Sequence, residues 1–199
     1  GIIYPIVMGW QWGGGWLAEL GFSDFAGSTL VHSTGGAAAL AGAIIIGPRL
    51  GRFTKSGAPA PLKPFAASSI PLVTIGVFIL WLGWFGFNGG SQLAMGTAVD
   101  AIAVSTIFMN TFLAGAGGVL GAATITRLHF GKTDVVQMLN GCIGGLVAGN
   151  AEPLAPSPLA AILIGAVGGL IVVYGTKLLF SLQIDDVVGA VPAHLFAGI

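Results

Sequence analysis

Three observations on the sequence predict an all-α integral membrane protein: its composition, the spacing of its charges and the clustering of its glycines. Of the 199 residues, 55% are hydrophobic and only 7% are charged, whereas an ordinary soluble domain carries about 25% charged residues. The composition argues against a soluble globular protein and a disordered chain, and against a nucleic-acid-binding protein, which would need a basic surface. The lipid bilayer is therefore the expected surrounding.

The charged residues divide the chain into apolar intervals long enough to cross a membrane. Five charge-free intervals of 17 to 36 residues lie between Asp24 and Lys177, and a helix needs about 20 residues to cross the hydrocarbon core. Together with the apolar ends of the chain, this spacing predicts about seven transmembrane helices. They are expected near residues 1–10, 26–47, 67–89, 101–125, 135–149, 159–180 and from 187 onward.

The sign of the charge alternates from one predicted loop to the next. Basic residues share one set of loops: Arg49, Arg52, Lys55, Lys63, Arg127, Lys132 and Lys177. The intervening loops carry acidic residues instead: Glu19, Asp24, Asp100 and Glu152. Because cytoplasmic loops collect Lys and Arg, we expect the basic loops in the cytoplasm and the protein as a multi-pass component of a cell membrane.

Glycine and other small residues cluster inside the predicted spans. The chain contains 34 glycines, among them the runs GGAAALAGA at 35–43 and GAGGVLGAA at 115–123. Small residues let helix backbones approach closely in lipid. We therefore expect both runs to lie at tightly packed helix contacts.

Two histidines lie inside predicted spans, where polar side chains are expensive and often mark a transport pathway. His32 and His194 each follow an aspartate by eight residues, in the matching segments DFAGSTLVH at 24–32 and DVVGAVPAH at 186–194. The segments enter the membrane from opposite faces, which indicates an inverted repeat. Eight helical residues rise about 12 Å, so both imidazoles are expected near the midplane, facing each other along a shared path.

The residues alone leave other roles open for these side chains. Each histidine could be a hydrogen-bonded packing residue, and two imidazoles could also ligate a metal, although the sequence offers no third intramembrane ligand. Asp24 and Asp186 are expected as helix N-caps, since a carboxylate accepts free backbone N–H groups. Asp24 could also favour cations at an outer mouth. The single cysteine, Cys142, excludes a disulfide framework.

The stretch DFAGSTLVHSTGGAAALAGAIIIGPR at 24–49 resembles the signature of the ammonium transporter family (Amt/Mep/Rh). The resemblance continues through WQWGGG at 10–15, WLGWFGFNGGS at 81–91, GLVAG at 145–149 and DDVVGAVPAHL at 185–195. Members have eleven spans, built as two five-helix inverted repeats plus a last helix, and assemble as trimers with one pore per subunit. The resemblance implies one ammonium transporter domain over 1–199, running from the fourth span into the tenth and incomplete at both ends, in a homotrimer.

Four residues take outer-site roles by this resemblance. Trp12 resembles the outer aromatic that holds ammonium by a cation–π contact, although an interfacial tryptophan belt would also explain it. Ser91 resembles the hydroxyl acceptor of the same site, and Asp24 resembles the aspartate that shapes it without touching the ion. Phe87 resembles the lower ring of a phenylalanine gate, with simple packing as the alternative.

The resemblance also assigns the pore. Trp84 resembles a pore-lining aromatic, and His32 and His194 resemble the family's twin histidines. We expect ammonium to be recruited outside, deprotonated near the gate and conducted as ammonia, because a narrow apolar pore rejects permanent cations such as potassium. Imidazole both donates and accepts hydrogen bonds and could relay the proton. This mechanism describes a transporter or channel, not an enzyme, and it needs no cofactor.

Other functions remain open from the sequence. The chain could belong to an ammonium sensor coupled to a signalling domain, to the gas-channel variant of the family, or to a membrane enzyme with the two histidines as metal ligands. A cytoplasmic regulatory protein is a further partner that the resemblance allows. Pro192 removes a backbone N–H two residues before His194, and Asn150 and Glu152 are expected to make the outer loop more acidic than a purely apolar mouth would be.

Overall fold

The computed structural model describes residues 1–53 and 65–199, which form helices joined by short loops. The α-helices in this part of the chain are α1 Ile3–Gln11, α2 Trp16–Glu19, α3 Thr34–Ile46, α4 Ile70–Gly90, α5 Ala98–Phe130, α6 Val135–Ala148 and α7 Pro158–Ser181. His32 and His194 lie in two π-helical segments of six residues each, Ser28–Ser33 and Val191–Phe196. We call these the first and the second histidine segment.

Within residues 1–53 and 65–199, four helical stretches are long and apolar enough to cross a bilayer. They are the first histidine segment continued by α3 (Ser28–Ile46), α4, α5 and α7. Helix α6 is apolar but has only 14 residues, and α1 has nine. The all-α membrane class is thus confirmed, whereas the predicted count of about seven transmembrane helices is not confirmed within the described ranges. The predicted basic loop residues Lys55 and Lys63 lie outside those ranges.

The long helices begin at side-chain caps that satisfy free backbone N–H groups. Hydroxyl oxygens of Ser69 and Ser157 accept from the third residue beyond each, at 3.4 Å and 3.3 Å, and open α4 and α7. A carboxylate oxygen of Asp134 accepts from the backbone of Gln137 at 3.1 Å and opens α6. Short polar loops therefore set the boundaries of the apolar helices.

Helix α5 is longer at both ends than the predicted span over 101–125. It has 33 residues and contains two charged side chains that the charge spacing treats as boundaries. Asp100 forms a capping box with Thr97 in the first turn, and Arg127 in the last turn donates to the carbonyl of Gly131 at 2.6 Å. A carboxylate at a helix N-terminus and a guanidinium at a C-terminus both interact favourably with the helix dipole. Both charges therefore lie inside the terminal turns of α5 and not in the loops beyond them.

Glycines bring α5, α6 and α7 into backbone contact. A Cβ atom added to Gly118 of α5 would lie 3.0 Å from the Cα atom of Gly145 in α6. One added to Gly169 of α7 would lie 3.0 Å from the backbone nitrogen of Ala122 in α5. Such approaches leave no room for a side chain, so the packing role predicted for 115–123 is confirmed.

For the run at 35–43, the described residues confirm this prediction at Gly36. Gly36 is buried, but a Cβ atom at Gly35 or Gly42 would meet no atom within 4 Å. Of the three glycines in this run, Gly36 is thus the one at which an added Cβ atom would meet other described residues. A run of small residues predicts a helix surface that another helix can approach closely, but it does not predict which residues of that surface the other helix contacts.

The two histidine segments run in opposite directions, as the inverted repeat predicts. At one end, the hydroxyl of Ser28 donates to the carbonyl of Gly198 at 3.3 Å. At the other end, beyond α3, the side chain of Arg49 binds Asp185, which precedes the second segment. The start of one segment therefore meets the end of the other.

Candidate functional site

Asp24 is buried and caps the first histidine segment with both of its carboxylate oxygens. Oδ1 accepts the backbone N–H groups of Gly27 and Ser28, and Oδ2 accepts those of Thr29 and Leu30, all at 2.9 Å. Gly27 has a φ of 106°, a left-handed conformation that glycine adopts without a steric penalty. This turn directs four consecutive amides onto one carboxylate.

Asp186 caps the second segment in the same way. Its carboxylate accepts the backbone N–H groups of Gly189 and Ala190 at 3.1 and 3.0 Å, and that of Val191 at 2.7 Å. Gly189 has a φ of 81°. The next residue is Pro192, which has no N–H to donate, so the second cap has three bonds where the first has four. The predicted N-cap roles of both aspartates are confirmed.

Hydroxyl groups of the first segment bind carbonyl groups of the second. Thr29 donates to the carbonyl of Gly198 at 2.8 Å, and Ser33 donates to that of Leu195 at 3.3 Å. Ser28 shares its one hydroxyl hydrogen between the carbonyl of Val147 in α6 at 2.8 Å and that of Gly198 at 3.3 Å. These carbonyls lie near the end of a helical segment, where intrahelical partners are missing. The sequence analysis missed this role, although three hydroxyl residues in one apolar segment were a visible signal.

A glycine shortly after each histidine segment lets the two chains cross closely. Gly36 and Gly198 each lie twelve residues after the capping aspartate, which extends the repeat beyond the matched nine residues. A Cβ atom at Gly36 would lie 2.7 Å from the Cβ atom of Leu195, and one at Gly198 would lie 2.6 Å from the hydroxyl oxygen of Ser33. The small side chain at both positions is thus a condition for the crossing.

At this crossing the two predicted histidines are in direct contact. The Nδ1 atom of His32 lies 3.0 Å from the Nδ1 atom of His194, and the ring centroids are 5.1 Å apart. The Nε2 atom of His32 is buried and has no hydrogen-bond partner among residues 1–53 and 65–199. The expected juxtaposition of the two imidazoles is therefore present.

The short Nδ1–Nδ1 distance restricts how protons are distributed over the pair. A hydrogen bond needs one donor and one acceptor, so one Nδ1 carries the shared proton and the other does not. When both rings are neutral, one Nε2 then offers a lone pair and the other offers an N–H group. A state with both rings doubly protonated is incompatible with this contact, because both Nδ1 atoms would be donors.

Two aromatic residues of α4 lie against His32, as the sequence analysis expects of pore-lining rings. The Trp84 ring is stacked on His32 with centroids 5.0 Å apart and an interplanar angle of 12°. The Phe87 ring lies 5.5 Å from His32 and 6.0 Å from Trp84. The four rings of His194, His32, Trp84 and Phe87 thus form one cluster, which we call the aromatic–histidine cluster.

Asn150 is a part of this site whose role its place in a predicted outer loop does not indicate. It is fully buried, and its Oδ1 accepts the indole N–H of Trp84 at 2.7 Å. Glu152, two residues later, is exposed as expected. The sequence shows a polar residue after an apolar helix but not the indole that α4 brings to it.

The predicted outer-site residues lie in two groups. Trp12 is 41% exposed, and its indole N–H donates to the backbone carbonyl of Asp24 at 2.7 Å. Ser91, directly after α4, donates its hydroxyl hydrogen to the carbonyl of Phe87 at 2.8 Å. Hydrogen bonds thus link Trp12 to Asp24 and Ser91 to Phe87. Within the described ranges, no hydrogen bond or aromatic pair joins the two groups.

An ion pair closes the opposite end of the site. Arg49 binds Asp185 through Nε and Nη2 at 2.7 and 2.8 Å, and Nε of the largely buried Arg52 lies 3.2 Å from the same carboxylate. The hydrogen bonds from Arg49 hold the pKa of Asp185 below its ordinary 3.8. Beside this ion pair lies a cavity of about 470 Å³, whose lining includes Asp186 and Asn140. The sequence analysis assigned no role to Asp185.

Comparison with known proteins identifies the family. The model of the Ammonium Transporter Family matches residues 1–199. A putative ammonium transporter of Synechocystis is 47% identical over 201 residues, covering 100% of this chain and 45% of the relative. Ammonium transporter Amt2 of Archaeoglobus fulgidus is 42% identical over 207 residues, covering 99% of this chain and 43% of the relative.

Solved structures show the same fold. A protein named Sensor Amt Protein aligns with a TM-score of 0.90 and 36% identity, covering 99% of this chain and 49% of that one. Mep2 of Candida albicans aligns with a TM-score of 0.85 and 31% identity, covering 99% and 42%. The chain thus spans less than half the length of these relatives. With its whole length matched by the family model and its fold shared with Amt and Mep structures, the chain belongs to the ammonium transporter family.

Proposed function

We propose that this chain is part of an ammonium transporter that conducts ammonia past the His32–His194 pair. The observation that carries the proposal is the 3.0 Å contact between the two Nδ1 atoms, built by two capped segments of opposite direction. Intramembrane histidines are rare unless they serve a path or a binding site. Here two aspartate caps, hydrogen bonds from three hydroxyl groups and the close backbone approach at Gly36 and Gly198 hold the two histidines together.

The outer site recruits ammonium at Trp12, Ser91 and Phe87. Trp12 is partly exposed, and an exposed indole face attracts a small cation. The hydroxyl of Ser91 uses its hydrogen on the carbonyl of Phe87, so its oxygen lone pairs are free to accept an N–H of ammonium. Asp24 supports the site indirectly, since its carbonyl fixes Trp12 while its carboxylate caps the first segment.

Selectivity follows from the loss of a proton. Ammonium and potassium have similar sizes, but only ammonium can become neutral, and an ion without water or ligands is strongly disfavoured in an apolar path. The Nε2 atom of His32, which has no hydrogen-bond partner in the described part of the chain, provides one hydrogen-bonding atom along that path. The paired imidazoles also provide a route by which the released proton could follow, since one ring donates and the other accepts.

The whole protein is proposed to be a homotrimer in a cell membrane, with residues 1–199 as part of one transporter domain. The cavity beside Arg49 and Asp186 lies at the end that the basic loops predict to be cytoplasmic. This end would face a cytoplasmic regulatory protein. The proposal requires no cofactor and assigns no enzymatic step.

The test is ammonium transport by the full-length protein in proteoliposomes. Wild type should give a saturable ammonium flux or current that potassium does not evoke. Replacing both His32 and His194 by leucine should abolish selective transport, because the polar atoms of the path are lost. Unchanged ammonium uptake with potassium still excluded in the folded double variant would refute the role of the histidines. A parallel measurement of flux and current separates coupled transport of a proton from electroneutral passage of ammonia.

A second function is proposed because a structural neighbour with a TM-score of 0.90 is named a sensor. In that case ammonium binding would alter a signalling domain attached to the transporter fold, and net transport would be absent. The full-length protein distinguishes the two functions. A fused signalling domain, together with ammonium binding to folded protein and neither flux nor current, supports the sensor, whereas flux without such a domain supports the transporter.

A further inference from the structure

Asn150 lies outside the described helices but connects three elements that surround the aromatic–histidine cluster. Its backbone carbonyl accepts the N–H of Ala26 at 2.9 Å, within the turn that Asp24 caps. Its backbone N–H donates to the carbonyl of Val147 in α6 at 3.1 Å. Its side-chain oxygen accepts the indole N–H of Trp84 in α4. One buried residue therefore ties α4 and α6 to the start of the first histidine segment.

The orientation of the Asn150 amide follows from the chemistry of indole. Indole N–H can only donate, so the amide oxygen must face Trp84 and the amide nitrogen must face away. That nitrogen is buried and has no partner within residues 1–53 and 65–199. The side chain is thus fixed by its acceptor atom, at 2.7 Å from Nε1 of Trp84.

Trp84 transmits this constraint to the histidines. Its ring lies nearly parallel to that of His32, which in turn stacks on His194 at 5.1 Å. A bond at one edge of the indole prevents the ring from rotating about its side-chain torsions. Without the bond, the ring could turn away from His32 and change both the width of the path and the position of the imidazole.

We propose that Asn150 is a positioning residue for conduction, which acts by holding the Trp84 ring in the orientation that stacks on His32. This inference rests on the proposed transport function. Asn150 need not contact the conducted species, because its effect passes through the indole. It should therefore alter the rate of conduction and leave recruitment at the outer site unchanged.

The experiment compares four variants of the full-length protein with wild type in proteoliposomes. Asn150→Leu keeps a branched side chain of similar shape but removes the acceptor. Trp84→Phe removes the donor, and the double variant removes both. The matched control is Asn110→Leu, since Asn110 is also buried but donates to the carbonyls of Pro153 and Pro156.

Asn150→Leu should lower the maximal ammonium flux about tenfold, equivalent to about 1.4 kcal/mol in the barrier, with the half-saturating concentration unchanged. Asn110→Leu should retain wild-type flux per folded trimer. In the Trp84→Phe background, Asn150→Leu should cause no further loss. The proposal would be overturned if Asn150→Leu lowered the maximal flux equally in wild type and in Trp84→Phe. It would also be overturned if Asn110→Leu lowered the flux as much as Asn150→Leu does.

Nitrogen-15 spectra of the indole groups provide a second readout. The N–H resonance that disappears in Trp84→Phe should shift in Asn150→Leu and stay in place in Asn110→Leu; an unshifted resonance overturns the proposal. If Asn150→Leu fails to assemble because a buried donor is left unpaired, the double variant should still assemble, and its failure would also overturn the proposal. A wild type that conducts nothing refutes the transport function instead, while the spectra still report the contact.

Discussion

Replacing Gly36 by alanine should separate the two histidines. The added Cβ atom would lie 2.7 Å from the Cβ and 2.8 Å from the Cα of Leu195, whereas ordinary contacts begin at 3.4 Å. The second segment must therefore move by at least the difference, about 0.7 Å. If His194 moves with its neighbour Leu195, the Nδ1–Nδ1 distance grows from 3.0 Å to about 3.7 Å, beyond hydrogen-bond range.

Flux and stability together provide the assay for Gly36→Ala. Overpacking of this kind costs about 1–3 kcal/mol of stability, and on the proposed transport function the broken pair should reduce ammonium flux per folded protein. The matched control is Gly35→Ala, one residue earlier in α3, where a Cβ atom meets nothing within 4 Å. That variant should keep wild-type flux and gain up to about 1 kcal/mol from helix propensity. Wild-type flux and selectivity in Gly36→Ala would refute the idea that this crossing sets the histidine distance.

Three further predictions concern stability. Asp185→Asn should lower the free energy of unfolding by about 2 kcal/mol near neutral pH, since it leaves the buried Arg52 without a counter-ion and weakens the hydrogen bonds of the solvent-screened Arg49. Hydrogen bonds from Arg49 lower the pKa of Asp185 below 3.8. The stabilisation by this ion pair is therefore complete above pH 3.8 and is lost as pH falls through the lowered pKa. In thermal unfolding, acidification should consequently destabilise Asp185→Asn less than wild type. Asp24→Asn should cost about 3 kcal/mol in denaturant titrations, because one amide oxygen cannot accept four N–H groups, and an undiminished midpoint would contradict the capping role. Gly118→Ala should lower the melting temperature through overpacking, whereas Gly83→Ala in α4, where a Cβ atom has open space, should not; equal shifts in both variants would argue against the tight α5–α6 contact.

The caps and the histidine pair could be predicted because their information is local and repeated. Each nine-residue segment contains the aspartate, the glycine that turns the backbone and the histidine, so the spacing alone specifies a capped helix with an inward polar residue. The opposite direction of the two copies then implies that they meet. The contact of His32 with His194 follows from this pattern and needs no knowledge of the other helices.

Other features could not be predicted because they depend on which surfaces meet. Asn150 is polar in the sequence, and only the arrival of Trp84 from α4 turns it into a buried acceptor. Gly35 and Gly36 are identical in type, yet only Gly36 faces the second segment. The charge spacing predicts that Asp100 lies in a loop between two spans, whereas its capping box with Thr97 places it inside the first turn of α5. For Asn150 and Gly36, the position of a helix distant in the sequence determines what the residue contacts.

The bonds from Ser28 and Thr29 to Gly198 have a consequence for biogenesis. They join residues 170 and 169 positions apart, and a six-residue helical segment is too short to be stable by itself. At synthesis rates of about 5–20 residues per second, the first histidine segment waits roughly ten to thirty seconds for its partner to leave the ribosome. The contact between the two segments therefore forms only after both have been synthesised, and a chain that terminates between them lacks it.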